Sequence, residues 1–192
     1  MQSEVALFYS DVCGFTDLIE RLGDVAAFEI MQRHLAWMRS LAAVHDGREV
    51  EMRGDACLLG FESADAATTY ALELQRVLAE GRRALPERGL SLRIGLHLGR
   101  PISHANGFFG RDVILAARLA DACPRNAIFA SHALWRRLRD TRRVGRERAL
   151  CLKGFGEPEL AARIFWGARP RARRFGSVRT ALRSALETTI AR

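Results

Sequence analysis

Two aspartates, Asp11 and Asp55, stand where predicted strands end beside a glycine-containing turn. The apolar run 5–9 predicts a buried strand that ends at Asp11, and a Gly-Asp corner at Asp55 is predicted to join strands 48–53 and 56–61 into a hairpin. If these strands are neighbours in one sheet, both carboxylates face one point, which suits Mg²⁺ bound to a triphosphate. The alternative is that both aspartates only serve turns, where aspartate is common.

The elements that must position these aspartates follow from the spacing of the apolar residues. Predicted helices span 15–22, 24–46, 63–83, 110–122 and 131–138, and further strands span 90–98, 128–130 and two pieces within 142–166, with a hairpin return at 99–106. The order is approximately βααββαββαβαββ, in which helices alternate with hairpins. This order predicts an α+β fold with a central, mostly antiparallel sheet and helices packed on one face.

The chain has 192 residues, of which 48% are hydrophobic, so it is long and apolar enough to form a globular core. Residues 1–166 are predicted to form one domain, and residues 167–192 are predicted to form an Arg-rich tail. Part of this tail is compatible with an amphipathic helix. Its apolar residues at helical spacing are Val178, Leu182, Leu186 and Ile190.

The formal net charge of +8 is carried almost entirely by arginine, since Lys153 is the only lysine in the chain. This charge is compatible with an alternative function, in which the basic tail contacts nucleic acid, a membrane surface or an acidic partner. A bias toward arginine also often reflects genome composition, so we expect no specific nucleic-acid binding.

The sequence shows no secretory signal and no apolar stretch long enough to span a bilayer. Its four cysteines form no C-x-x-C pair and match no zinc-finger spacing. Free thiols are typical of a reducing compartment, and a cytoplasmic location is therefore expected.

Five segments resemble the motifs of class III nucleotidyl cyclases, the adenylate and guanylate cyclases. Residues 9–16 (Tyr-Ser-Asp-Val-Cys-Gly-Phe-Thr) resemble the first metal-binding motif of that family, and residues 53–56 (Arg-Gly-Asp-Ala) resemble its second metal-binding hairpin. The central strand, the transition-state helix and the late phosphate-binding hairpin are matched by residues 92–99, 109–119 and 152–156. Because the matches run in family order, together they are far more specific than any one alone.

The resemblance implies a ferredoxin-like βαββαβ cyclase-homology fold and an enzyme that converts an NTP to a 3′,5′-cyclic NMP and pyrophosphate. Asp11 and Asp55 would then hold two Mg²⁺ or Mn²⁺ ions. The backbone amides of Gly14, Phe15 and Thr16, at the start of a helix, would bind phosphate oxygens.

In such enzymes the active site lies between two catalytic domains arranged head to tail, so the resemblance implies a homodimer. Arg118 would face the α-phosphate as charge develops there, and Lys153 would contact the triphosphate. The alternative interpretations are a solvated arginine on a helix and an exposed lysine in a hairpin.

Three positions bear on substrate choice and activity. Glu51 is typical of guanylyl-type members, because a carboxylate accepts hydrogen bonds from guanine and meets only acceptors on adenine. Gly107 stands where the family often has a base-contacting Asp or Cys, and Ile114 stands where it usually has an Asn that orients the ribose.

These departures leave alternatives open beside a guanylyl-type enzyme. ATP or a pyrimidine nucleotide remains a substrate candidate, since the base-reading positions vary. Without the amide at Ile114, the chain is alternatively a catalytically weak or silent cyclase-homology domain that binds a nucleotide or a partner.

Overall fold

The computed structural model describes residues 3–84, 89–104, 107–138 and 143–167. Within these residues, seven strands form one sheet and two form a small ribbon. In chain order the strands are β1 (Val5–Val12), β2 (Arg48–Arg53), β3 (Ala56–Phe61), β4 (Leu92–Gly99), β5 (Ile102–His104), β6 (Gly107–Phe109), β7 (Ile128–Ser131), β8 (Val144–Leu150) and β9 (Glu159–Ile164).

The large sheet has the strand order β2-β3-β1-β4-β7-β9-β8, and β5 pairs with β6 in the ribbon. Every pair in the large sheet is antiparallel except β4 with β7. The first four strands in this order form the ferredoxin-like core. The prediction of an α+β fold with a mostly antiparallel sheet is confirmed.

In the described part of the chain, five helices pack on this sheet. They are α1 (Phe15–Leu22), α2 (Asp24–Val44), α3 (Ala64–Ala84), α4 (Arg111–Asp121) and α5 (His132–Leu138). The side chain of Ser63 accepts a hydrogen bond from the amide of Ala66 (3.1 Å), so Ser63 caps α3 as its sequence position predicts.

The two faces of the sheet carry different helices. Ala6 and Phe8 of β1 point into the main core, which α1, α2, α3 and α5 build with them. Leu7 points the opposite way and packs with Leu58 of β3 and Ala116 of α4. Because β1 is buried on both faces, its sequence is a continuous apolar run instead of an alternating one.

The position of α4 refines the expectation that the helices share one face, because among the described helices only α4 covers the other face. A glycine makes this packing possible. A Cβ on Gly95 of β4 would lie 2.1 Å from the carbonyl oxygen of Ala116 and 2.7 Å from the amide nitrogen of Ala120. Only a residue without a side chain lets the helix backbone approach the strand so closely.

Most element bounds agree with the sequence predictions to within two residues. Within the described residues, the predicted hairpin return at 99–106 does not pair back with β4: β5 pairs with β6 in a separate ribbon, and residues 105–106 at its turn lie outside the description. The predicted amphipathic helix of the tail also lies outside it, because the description ends at Gly167.

Candidate active site

The two aspartates singled out in the sequence lie side by side. Asp11 near the end of β1 is in register with Ala56, the first residue of β3, and Asp55 immediately precedes Ala56 in the turn from β2. Burial, followed by the negative charge of Asp11, raises the pKa of the Asp55 carboxyl. The structure therefore brings both carboxylates to one point.

Arg93 of β4 completes this cluster. It is in register with Asp11, and its guanidinium forms an ion pair with the Asp11 carboxylate while lying 3.4 Å from the carbonyl oxygen of Asp121 in α4. Sequence reasoning placed Arg93 in a strand motif but gave it no role. Only the strand register reveals that it faces Asp11.

The donor set at Asp11 and Asp55 fits a hard divalent cation. Both residues offer carboxylate oxygens, which Mg²⁺ and Mn²⁺ prefer, and the negative charge of Asp11 contributes to the raised pKa of Asp55. No cluster of three or more His, Cys, Asp or Glu side chains suits a metal anywhere in the described part of the chain. Water, backbone carbonyl oxygens or substrate phosphate oxygens would fill the remaining positions around an ion bound here.

The raised pKa of Asp55 gives a test of this site that needs no activity. A carboxyl whose pKa is higher in the folded than in the unfolded chain destabilises the fold when it is ionised. We expect Asp55→Asn to raise the Tm of the metal-free protein at pH 7. The gain should vanish as the pH falls through the folded pKa to the unfolded value of about 3.9.

Adding Mn²⁺ at pH 7 should raise the Tm of the wild-type protein and leave that of Asp55→Asn unchanged. Asp65, exposed in the first turn of α3, provides the matched control, and Asp65→Asn should keep the full response to Mn²⁺. Thermal denaturation with and without Mn²⁺ measures all three proteins. A lower Tm for metal-free Asp55→Asn than for the wild-type protein at pH 7 would show that the ionised Asp55 carboxylate does not destabilise the fold.

The predicted phosphate loop lies at the start of α1. Gly14 has a φ of 72°, which favours glycine, and no side chain caps the helix. The amides of Phe15 and Thr16 are in the first turn, where they have no partner within the helix. The site also contains Arg125, for which the sequence predicted no role. Its Nη2 lies 3.1 Å from the position that a Cβ atom would occupy if Gly14 carried a side chain.

Glu51, the predicted base-reading residue, lies on the same face of the sheet as α4. It is in register with Leu58 of β3, which is in register with Tyr9 of β1. Burial first, and then the charges of nearby acids including Asp11 and Glu51, raise the pKa of Tyr9. Glu51 thus stands near the paired aspartates.

Three further predicted residues lie on the ribbon and on α4. Gly107 begins β6 with a φ of 155° and pairs with His104. Ile114 is in the first turns of α4 and is 50% exposed, and Arg118 forms a 2.8 Å ion pair with Asp121 near the end of that helix. The exposed Ile114 side chain is accessible to a ligand or a second chain, whereas the Arg118 side chain is half-buried and its Nε is buried without a partner among the described residues.

Lys153 does not join the aspartates within one chain. It is exposed in the turn between β8 and β9, and its neighbour Leu152 packs against Leu115 and Leu119 of α4. The opposite flank of α4 packs toward β1 and β3 through Ala116. Because α4 stands between them, the turn that carries Lys153 is separated from Asp11 and Asp55.

A ferredoxin-like sheet that brings Asp11, near the end of β1, beside Asp55, in the turn between β2 and β3, is the arrangement expected from the resemblance to cyclase catalytic domains. The family described as adenylate and guanylate cyclase catalytic domain matches residues 1–161. The chain belongs to this family, and the resemblance seen in its motifs is confirmed.

Individual relatives agree with this assignment. The chain is 30% identical over 138 residues to an adenylate cyclase of Streptomyces coelicolor, covering 72% of this chain and 35% of that protein. It is 30% identical over 131 residues to guanylate cyclase 2G of Mus musculus, covering 60% and 12%. It spans between 6% and 37% of the length of such curated relatives.

Solved structures show the same fold. The adenylyl cyclase CyaB from P. aeruginosa aligns with a TM-score of 0.75 at 23% identity, over 87% of this chain and 95% of that one. The guanylate cyclase domain of RhGC from Catenaria anguillulae, solved with GTP, aligns with a TM-score of 0.73 at 18% identity, over 85% and 96%.

Two sequence expectations concern the cellular setting. Across the described ranges, the structure contains no helix with the length and apolarity needed to cross a membrane. Cys13, Cys57, Cys123 and Cys151 all lie in described residues, and none forms a disulfide.

Proposed function

We propose that this chain is a nucleotidyl cyclase, in which the ribose 3′-oxygen of an NTP attacks the α-phosphorus. The bond from that phosphorus to the bridging oxygen of the β-phosphate breaks, pyrophosphate leaves, and the 3′-hydroxyl proton passes to water. The observation that carries this proposal is the apposition of Asp11 and Asp55 beside the Gly14 turn. The free thiols suit a cytoplasmic enzyme.

Asp11 and Asp55 would hold two Mg²⁺ or Mn²⁺ ions together with the triphosphate. When bound, such ions lower the pKa of the 3′-hydroxyl and offset the charge of the phosphates. The amides of Phe15 and Thr16 would bind phosphate oxygens at the positive end of α1. Arg93, which lies against Asp11, would hold that carboxylate in orientation.

The site is proposed to be shared by two copies of the chain arranged head to tail. Lys153 and Arg118 of one copy would meet the triphosphate held by Asp11 and Asp55 of the other. The position of α4 supports this arrangement, because it separates the turn that carries Lys153 from the aspartates of the same chain. Exposed apolar side chains near the start of α4 offer a surface for the second copy; they are Ile102, Phe109 and Ile114.

The direct test is to incubate the purified chain with each of the four NTPs and Mn²⁺ or Mg²⁺, and to identify cyclic nucleotides by mass spectrometry. We expect cyclic product, with cyclic GMP the most abundant because Glu51 can accept hydrogen bonds from guanine. No cyclic product from any NTP would overturn the proposal.

Exchanging the charge at Glu51 is expected to change base preference. Glu51→Lys should lower the ratio of kcat/KM for GTP to that for ATP by about 10- to 100-fold, since lysine donates where guanine also donates. Steady-state kinetics with both substrates measures the ratio. Glu62→Lys, the same charge reversal at an exposed residue just after β3, should leave the ratio unchanged. An unaltered ratio in Glu51→Lys would remove Glu51 from base recognition.

Restoring an amide at Ile114 is expected to raise activity. Ile114→Asn should increase kcat by about 10- to 100-fold, because an amide can hydrogen-bond the ribose and isoleucine cannot. The substitution should cost little stability, since the Ile114 side chain is 50% exposed. Val113→Asn on the same helix controls for a change of polarity, and equal kcat in wild type and Ile114→Asn would contradict the assigned role.

The second candidate is a cyclase-homology domain that binds a nucleotide without turning it over. Two residues favour it: Ile114 cannot hydrogen-bond the ribose, and Gly107 has no side chain to contact a base. Nucleotide binding by calorimetry, in the absence of cyclic product from all four NTPs, would support this candidate over the enzyme.

A further inference from the structure

An apolar groove lies between α2 and α3, on the side of the molecule away from α4. We call it the α2–α3 groove, and its volume is about 280 Å³. The side chains that shape it include Ile30, His34, Trp37, Val77, Leu78 and Leu90. Val77 is 38% exposed, so a β-branched apolar side chain remains partly open to solvent there.

A buried polar atom at this groove has no partner. His34 is only 7% exposed, and its Nε2 forms no hydrogen bond within the described residues. Burial lowers the pKa of His34 to about 4, so the ring is neutral at pH 7. A buried polar atom without a partner is costly to the fold.

The described chain ends beside the same helix. The Nε of Arg76 in α3 donates a hydrogen bond to the carbonyl oxygen of Trp166 (3.3 Å), and the indole of Trp166 donates to the carbonyl oxygen of Asn126 (2.7 Å). Trp166 is therefore held against Arg76, which precedes Val77 in α3 and points about 100° away from it around the helix. The segment that follows Gly167 thus starts at α3, on the flank that carries Arg76.

The sequence that follows carries a matching apolar stripe. Val178, Leu182, Leu186 and Ile190 recur every four residues, which places them on one face if the segment is helical. The residues from Gly167 to Val178 span at most about 36 Å when extended, several times the length of one helical turn. The tail is therefore long enough to reach the groove in its own chain.

The groove carries one cation of its own, because Arg33 lines it and pairs with Glu29 at 3.5 Å. Burial of the apolar stripe, and not attraction of the tail arginines, would therefore drive binding.

We propose that residues 177–190 bind as an amphipathic helix in the α2–α3 groove of the same chain, with the stripe from Val178 to Ile190 against Val77 and Leu78. The inference does not depend on the chain being a cyclase.

Disulfide trapping in the full chain tests the proposal. In a background with Cys13→Ser and Cys151→Ser, Val77→Cys is combined with Leu182→Cys or with Leu186→Cys. We expect an intrachain disulfide to form on mild oxidation at least about tenfold faster than in a control that combines Phe28→Cys with the same tail cysteines. Phe28 is 62% exposed and lines a second apolar groove between α1 and α2.

The competing occupants give different results, each of which overturns the proposal. Faster trapping with Phe28→Cys would place the tail in the α1–α2 groove. Disulfides between chains, detected by mixing two lengths of tagged protein, would place the tail of a second copy in the groove. Equal slow rates at both positions would mean that the tail binds neither groove.

Hydrogen exchange in the full chain provides a measurement without cysteines. Leu182→Asp with Leu186→Asp should speed amide exchange in residues 74–82 by about tenfold, because exposing the groove destabilises α3 locally. Thr180→Asp with Ser184→Asp adds the same charge on the opposite face of the helix and should leave exchange unchanged. Equal exchange in both double variants would overturn the proposal.

Discussion

Replacing Asp11 or Asp55 by alanine is expected to lower kcat for cyclic nucleotide formation on the order of 10³-fold or more. Each variant removes one of the two carboxylates that the strand register brings together. The remaining carboxylate could not hold the cations that offset the charge of the triphosphate and of the attacking oxygen. Cyclic product measured by mass spectrometry at saturating NTP and Mn²⁺ gives the ratio directly.

The matched control is Asp65→Ala, which removes an exposed aspartate on the far side of the sheet and should retain wild-type kcat. Folding of each variant is checked by its Tm, because alanine at Asp11 leaves the guanidinium of Arg93 without its ion pair. A folded Asp11→Ala or Asp55→Ala that keeps more than about a tenth of wild-type kcat would show that these carboxylates do not hold the catalytic metal.

Mixing two inactive variants is expected to restore about a quarter of wild-type activity. One variant is Asp11→Ala and the other carries both Arg118→Ala and Lys153→Ala. In a dimer whose sites are shared, the first chain lacks a metal-binding carboxylate, and the second chain lacks the two cationic side chains that would contact the triphosphate. Random exchange makes half of the dimers mixed, and each mixed dimer has one complete site of two.

The geometry of α4 supplies the reason to expect this recovery, because it keeps the Lys153 turn away from the aspartates of its own chain. A mixture of Asp11→Ala with Asp55→Ala is the control. Both of those residues belong to the same half of the site, so no mixed dimer gains a complete set. Recovery in the control, or none in the first mixture, would rule out the head-to-tail arrangement.

Local patterns in the sequence determined the secondary structure and the family. The apolar run that ends at Asp11 is β1, and the Gly-Asp corner at Asp55 is the turn between β2 and β3. These features depend on residues close together in the chain, such as turn glycines and helical spacing. For the same reason the five family motifs could be recognised without any knowledge of which strands pair.

Tertiary structure alone decided which residues meet. The register of β1 with β3 and β4 places Asp55 and Arg93 against Asp11, and a shift of one residue would have turned those side chains to the other face. The layer order placed α4 on the opposite face from the other helices, between Lys153 and the aspartates. Both results depend on contacts between distant parts of the chain, which the spacing of neighbouring residues does not encode.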